Sequence, residues 1–238
     1  MSTERHHSAP GDAIVGTRPV EVRRYGALTR ANHWLTAACA IVLLLSGLAF
    51  FHPSLYWLTH LFGNGQFARW LHPFVGLVMA LSFFGLFVQM WRLNLPRAED
   101  AQWVKQGRDV LTGNEEALPE LGKYNAGQKL VFWGMGGLIL VLLASGVMIW
   151  EQYFPGLVSI PVRRVALVAH AVAAVLMLLL LVLHVYAAIW TRGTLRAMTR
   201  GTVTGGWAWR HHRKWLRELA ARERDPHQGK TPADPPAP

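Results

Sequence analysis

Four of the eleven histidines, His33, His72, His170 and His184, fall within or at the edge of long apolar blocks of sequence. An ionisable side chain is costly in a membrane segment, and its presence there points to function. Neutral imidazole is also a common metal ligand, because one ring nitrogen can coordinate while the other hydrogen-bonds. The other seven, His6, His7, His52, His60, His211, His212 and His227, lie in tails or connections, where a solvated surface role is expected.

His170 and His184 are 14 residues apart, which on a helix is about 21 Å along the axis and within about 40° of the same face. One helix therefore offers two ligands at two depths. The elements that must position these side chains follow from hydropathy. Hydrophobic residues make up 52% of the 238 and come in blocks rather than in amphipathic alternation. Four segments, 33–52, 72–92, 130–150 and 165–190, reach the roughly 20 apolar residues that a helix needs to cross a hydrocarbon core. The first begins after some thirty mostly polar residues, so it does not read as a cleaved signal peptide.

A net charge of +10 raises the question of nucleic acid, but its placement argues for membrane topology. Lys and Arg number five in residues 1–32, one in 53–71, five in 93–129, two in 151–164 and ten in 191–238. With Arg92 added, 21 fall on one side and three on the other, which predicts that both termini and the central connection are cytoplasmic. On that topology His33 and His184 share the cytoplasmic depth, while His72 and His170 share the outer depth.

Each pair can clamp one haem iron as a bis-imidazole, which leaves no open iron position and suits electron transfer rather than oxygen binding. Bundle cores are a usual place to hold such cofactors. Cys39 is the single cysteine, a small apolar residue in a span, so a C-x-x-C-H attachment is excluded and the haem is non-covalent. Two rival readings remain. The imidazoles could hydrogen-bond between helices, or they could serve a metal or solute transporter, which would gather ligands at one midplane site, often with carboxylates. The four spans contain almost no acidic residues.

The halves of the chain resemble each other: LLLSGLAFFHP at 43–53 is echoed by LLASGVMIWEQYFP at 142–155, and each is followed by a histidine, 25 residues from Gly47 to His72 and 24 from Gly146 to His170. Gly47, Gly76, Gly134, Gly136, Gly137 and Gly146 permit close approach of a macrocycle or of another helix, and receive no site. Arg30, Arg69, Arg163 and Arg164 could meet haem propionates, although interfacial anchoring accounts for them as well. Residues 98–112 mix apolar and charged residues as a short amphipathic helix would. The fold expected is an all-α membrane protein: a four-helix transmembrane bundle with two b-type haems over 23–218, a disordered tail over 1–22 and a polar C-terminal tail over 219–238.

With NHW at 32–34, LHPFVG at 71–76, GNEEALPELGKYNAGQK at 113–129 and the His170/His184 pair, the chain resembles the cytochrome b (gamma) subunit of membrane-bound respiratory formate dehydrogenase over residues 22–218. GKYNAGQK is the most specific element. The resemblance implies a multi-pass subunit of the bacterial inner membrane that takes electrons from an iron–sulfur (beta) subunit and passes them to menaquinone or ubiquinone. Formate would be oxidised by a molybdenum- or tungsten-containing (alpha) subunit on the periplasmic side, so this chain is not itself catalytic for formate. It implies the same haem pairs, and quinone contacts from Asn125, Gln128 and His184, with Gly127 letting the ring approach. Electrons would run from the outer haem to the inner one and on to quinone, which takes its protons from the cytoplasm. Helix capping is the competing role for Asn125. A related cytochrome b anchor of a hydrogenase or thiosulfate reductase is the alternative assignment.

Overall fold

The structure is a computed structural model that describes residues 7–17, 19–114 and 117–224. His6, His227 and the outermost stretches of both expected tails, 1–6 and 225–238, lie outside the described residues. The chain divides into two compact units. One is helical and comprises Leu28–Trp91 and Leu130–Thr191; the other gathers the described residues of Met1–Ala27, Arg92–Lys129 and Arg192–Pro238.

The helical unit contains four helices long and apolar enough to cross a membrane: α1 (Ala27–Phe51), α2 (Gly65–Met90), α5 (Ala126–Ile149) and α6 (Ile160–Trp190). Each begins a few residues before the apolar block that marks it in sequence. Hydropathy reports the part that suits hydrocarbon, whereas capping decides where the helix starts. Asn64 caps α2 by accepting from the Phe67 N–H at 2.8 Å, and Pro161 opens α6 at a position where a missing N–H costs nothing. His33 and His72 consequently lie one turn or more inside their helices, not at the first residue of each span, and His170 lies deeper inside α6 than the apolar block alone placed it.

Large apolar side chains such as Leu81, Leu140, Val165 and Ile189 are exposed on these helices, as a lipid-facing surface requires. Inward, Cys39 from α1, Met79 from α2 and Ile139 from α5 form a buried cluster, and Met177 of α6 packs on it. The Cys39 thiol is free. α2 and α5 are joined by aromatic rings, with Phe87 stacked on Phe132 at 5.1 Å between centroids. α1 and α2 are joined by polar groups: Asn32 Nδ2 donates to the Ser82 carbonyl at 2.8 Å, Ser82 Oγ donates back to Asn32 Oδ1 at 2.7 Å, and Thr36 Oγ1 lies 2.7 Å from Ser82 Oγ. Interhelical bonds of this kind serve in place of a hydrophobic driving force within lipid. Between α1 and α2 the chain makes a 3-10 helix over Pro53–Phe62, capped by His52.

The second unit corrects several expectations. It contains a three-stranded antiparallel sheet, β1 (Ala13–Thr17), β2 (Val20–Arg23) and β3 (Thr202–Thr204), so the protein is mostly helical rather than all-α. β1 and all of β2 but Arg23 fall within the stretch, 1–22, expected to be disordered. Neither strand could stand alone at this length; the third strand arrives from near the other end of the chain. Val22 and Val203 then bury against Trp207, Ala208, Trp215 and Leu219 of α8 (Gly205–His211) and α9 (Arg213–Arg224), so the helix that runs into the expected polar tail is core.

His212 is likewise not on a solvated surface: it is 1% exposed, and its Nδ1–H donates to the Gly122 carbonyl at 2.7 Å. His7 is tied down as well, its backbone N–H donating to Glu218 at 2.7 Å. The amphipathic stretch is two helices, α3 (Ala98–Lys105) and α4 (Gly107–Thr112), broken where Gln106 precedes the poor helix former Gly107. α7 (Thr194–Thr199) leads into β3.

Candidate haem-ligating site

The structure brings His33 of α1 together with His184 of α6, and His72 of α2 together with His170 of α6, with ring centroids 6.3 Å apart in both pairs. The ring planes are inclined by 46° in the first pair and 62° in the second. At this separation the closest approach of any two ring atoms is about 4 Å, beyond a hydrogen bond. Direct imidazole–imidazole bonding therefore does not explain the pairs.

The distance does match a shared metal. A metal–imidazole bond of about 2.0–2.1 Å, added to about 1.1 Å from nitrogen to ring centre, places two axial rings about 6.3 Å apart across one atom. Two neutral imidazoles are also a donor set that holds haem iron. The residues present fit the group at both places, and α6 supplies one imidazole to each pair.

The environments of the two pairs differ. His72 Nδ1 lies 2.7 Å from Ser46 Oγ of α1, and His170 Nδ1 lies 3.0 Å from Ser145 Oγ of α5. A Cβ placed on Gly47 or on Gly146 would come within 3.5 Å of Cε1 of His72 and His170 respectively. His33 Nδ1, by contrast, is buried with no hydrogen-bond partner among the described residues, and its ring meets Trp34 edge-on at 5.6 Å. The serines escaped the sequence reading although they sit in the repeated Ser–Gly step; the repeat was visible, the bond it makes was not. Pro73, next to His72, lies inside α2 and removes the N–H that the Arg69 carbonyl would otherwise accept.

Asn125, Gly127 and Gln128 belong to the second unit. Asn125 Oδ1 accepts from the Gln128 N–H at 2.8 Å, and Gln128 Oε1 accepts from the Asn125 N–H at 3.1 Å. This reciprocal pair is a capping box at the start of α5. A Cβ on Gly127 would stand 3.2 Å from the Trp103 ring, so the glycine makes room for that indole. Of the arginines considered for propionates, Arg163 is paired with Glu151 and Arg69 lies over the Phe50 ring at 5.5 Å.

Four apolar helices with paired imidazoles between them define a membrane cytochrome of the b type. Residues 24–201 match the family model of prokaryotic cytochrome b561, and the chain belongs to that family. The family implies b-type haem and a multi-pass membrane protein. The chain is 47% identical over 196 residues to the formate dehydrogenase cytochrome b556(fdo) subunit of Escherichia coli (strain K12), covering 82% of this chain and 92% of that one. It is 39% identical over 195 residues to the formate dehydrogenase cytochrome b556 subunit of Haemophilus influenzae, covering 82% of each. The nitrate-inducible cytochrome b556(Fdn) subunit of E. coli K12 is 39% identical over 196 residues, 82% of this chain and 90% of its own.

Proposed function

We propose that this chain is the membrane subunit of a formate dehydrogenase complex, holding two b-type haems and delivering electrons to membrane quinone. The observation that carries the reading is the equal 6.3 Å separation of both imidazole pairs, a distance that fits two imidazoles sharing one metal ion. The named relatives supply the enzyme.

His33 and His184 would hold one haem, and His72 and His170 the other. When bound, each haem would supply a one-electron couple, and a donor set of two imidazoles suits electron transfer rather than oxygen binding. The protein's part is to hold the ligands at fixed depths on α6 and to exclude water with Cys39, Met79, Ile139 and the aromatic seam between α2 and α5. An iron–sulfur subunit delivers the electrons, and formate is oxidised on a separate molybdenum- or tungsten-containing subunit. The quinone, menaquinone or ubiquinone, takes hydrogen bonds from the side-chain amides of Asn125 and Gln128. Their oxygens already serve the cap of α5, so the NH2 groups are the donors a quinone oxygen would use.

The complex lies in the bacterial inner membrane with both termini cytoplasmic. The Lys and Arg distribution supports this orientation. The folding of the N-terminal, central and C-terminal segments into one unit supports their lying on a common side, because segments that pair with one another lie on one side of a bilayer.

The test is haem stoichiometry with turnover. The complex should carry two b haems per copy of this chain, seen in a reduced-minus-oxidised spectrum and by haem assay. His72→Ala or His170→Ala should leave one haem and stop formate-dependent quinone reduction. Unchanged haem content and turnover in either variant would refute the assignment.

A further inference from the structure

The serines beside His72 and His170 carry a second conclusion, which rests on the haem reading. Ser46 and Ser145 are buried, 0% and 5% exposed, in α1 and α5. Each hydroxyl lies close to the carbonyl four residues back: Ser46 Oγ to Val42 O at 2.7 Å and Ser145 Oγ to Val141 O at 2.6 Å. The carbonyls three residues back, of Leu43 and Leu142, are at 3.2 and 3.3 Å. A serine hydroxyl has one hydrogen. At these distances a carbonyl must receive it, since otherwise two oxygen lone pairs would face each other at hydrogen-bond distance.

Toward the imidazole, then, each serine oxygen can only accept. The hydrogen between Ser46 and His72, and between Ser145 and His170, sits on Nδ1, and the lone pair of each ring is left on Nε2. That is the tautomer a metal ligand needs, and an accepted hydrogen bond from the far nitrogen makes the imidazole a stronger donor to the metal. The neighbouring glycines, Gly47 and Gly146, leave the space in which the rings sit against these helices. The device occurs once in each half of the chain, and both copies serve the same pair. His33 Nδ1 has no such partner among the described residues.

We propose that Ser46 and Ser145 are positioning residues that lock His72 and His170 in the Nδ1–H tautomer and lower the reduction potential of the haem these two ligate, leaving the other haem untouched. Stronger donation favours ferric over ferrous iron, so loss of the acceptor should raise the midpoint.

The experiment is redox potentiometry followed by optical and low-temperature EPR spectroscopy on the intact complex in detergent. Wild type, Ser46→Ala, Ser145→Ala, the double variant and Ser145→Thr are compared, with haem content measured in each. The expected result is two haems in every single variant, with the midpoint of one haem shifted upward and its low-spin ferric signal altered. The second haem stays unchanged, and Ser145→Thr, which keeps the hydroxyl, returns the wild-type midpoint. Should the double variant shed one haem, the single variants still carry the reading. Two haems with unmoved midpoints and signals, or a shift confined to the other haem, overturn the serine role while the haem assignment stands. Fewer than two haems in the wild type overturns both.

Discussion

Lys123 Nζ lies 2.5 Å from Asp12 Oδ1, with both side chains at most 4% exposed, and this pair ties the N-terminal segment to the central one. Asp12 is fully engaged, since its other oxygen accepts from Trp215 Nε1 at 2.9 Å and from the Ala9 N–H at 2.8 Å. Lys123 Nζ also donates to the Arg24 carbonyl at 3.0 Å. Asp12→Ala leaves a buried ammonium beside the buried Arg24 with no counter-charge, a change that costs about 3–5 kcal/mol. The sheet and α9 should lose hydrogen-exchange protection by that amount while haem content stays at the wild-type value. Wild-type protection in the variant would show that the pair contributes nothing net.

The same unit should weaken in acid. Burial, then Arg97 and Lys214, push the His7 pKa down to about 4. Burial also holds His212 well below its ordinary value, reinforced by Arg24, His211 and Lys123 and opposed by the bond to the Gly122 carbonyl. Both rings are neutral when folded and take a proton near pH 6.5 when unfolded. The unfolded state therefore binds more protons below that value, and stability, complete above about pH 6.5, falls as the pH drops toward 4. Exchange protection of β2 and α8, corrected for intrinsic rate, should be lower at pH 5.5 than at pH 7.5, and His212→Asn should flatten part of the drop. A pH-independent protection factor would contradict the assignment of neutral rings.

Ligation can be separated from helix-to-helix bonding by rescue. His33→Gly should remove one of the two haems and leave the ring of His184 in place. Free imidazole, added during assembly, should enter the space and restore both the haem and its spectrum. A variant that keeps two haems without imidazole would place the ligand elsewhere.

How much of this was legible depended on range. The four spans follow from local hydropathy, which needs only about 20 consecutive residues, and the His170/His184 relationship follows from helical geometry within one element. His33 and His72 could be matched to them because the charge distribution predicts a common depth for each pair, and the structure brings the same rings together. The β1–β2–β3 sheet was hidden because its third strand is three residues long and nearly the whole chain away from the first. The burial of His212 depends in the same way on the Gly122 carbonyl, 90 residues distant. Ser46 and Ser145 were present in the repeated motif, yet a serine in a membrane helix commonly bonds only its own backbone, and no sequence signal says that its second partner is an imidazole.

Asn125 can be asked whether it only caps α5 or also contacts quinone. Asp at this position keeps an oxygen to accept the Gln128 N–H, and Asp and Asn are about equal as N-caps, so Asn125→Asp should preserve α5 and both haems. What it loses is the NH2 donor. Losing one hydrogen bond of about 0.5–1.5 kcal/mol should raise KM for quinone about 2- to 12-fold, with electron transfer to the haems from formate unchanged in pre-steady-state optical traces. Asn125→Ala loses the donor and the cap together, which should add a stability loss of about 1 kcal/mol. If Asn125→Asp retains wild-type quinone kinetics and only Asn125→Ala is impaired, the residue is a cap alone, and the quinone contact must be sought at other groups.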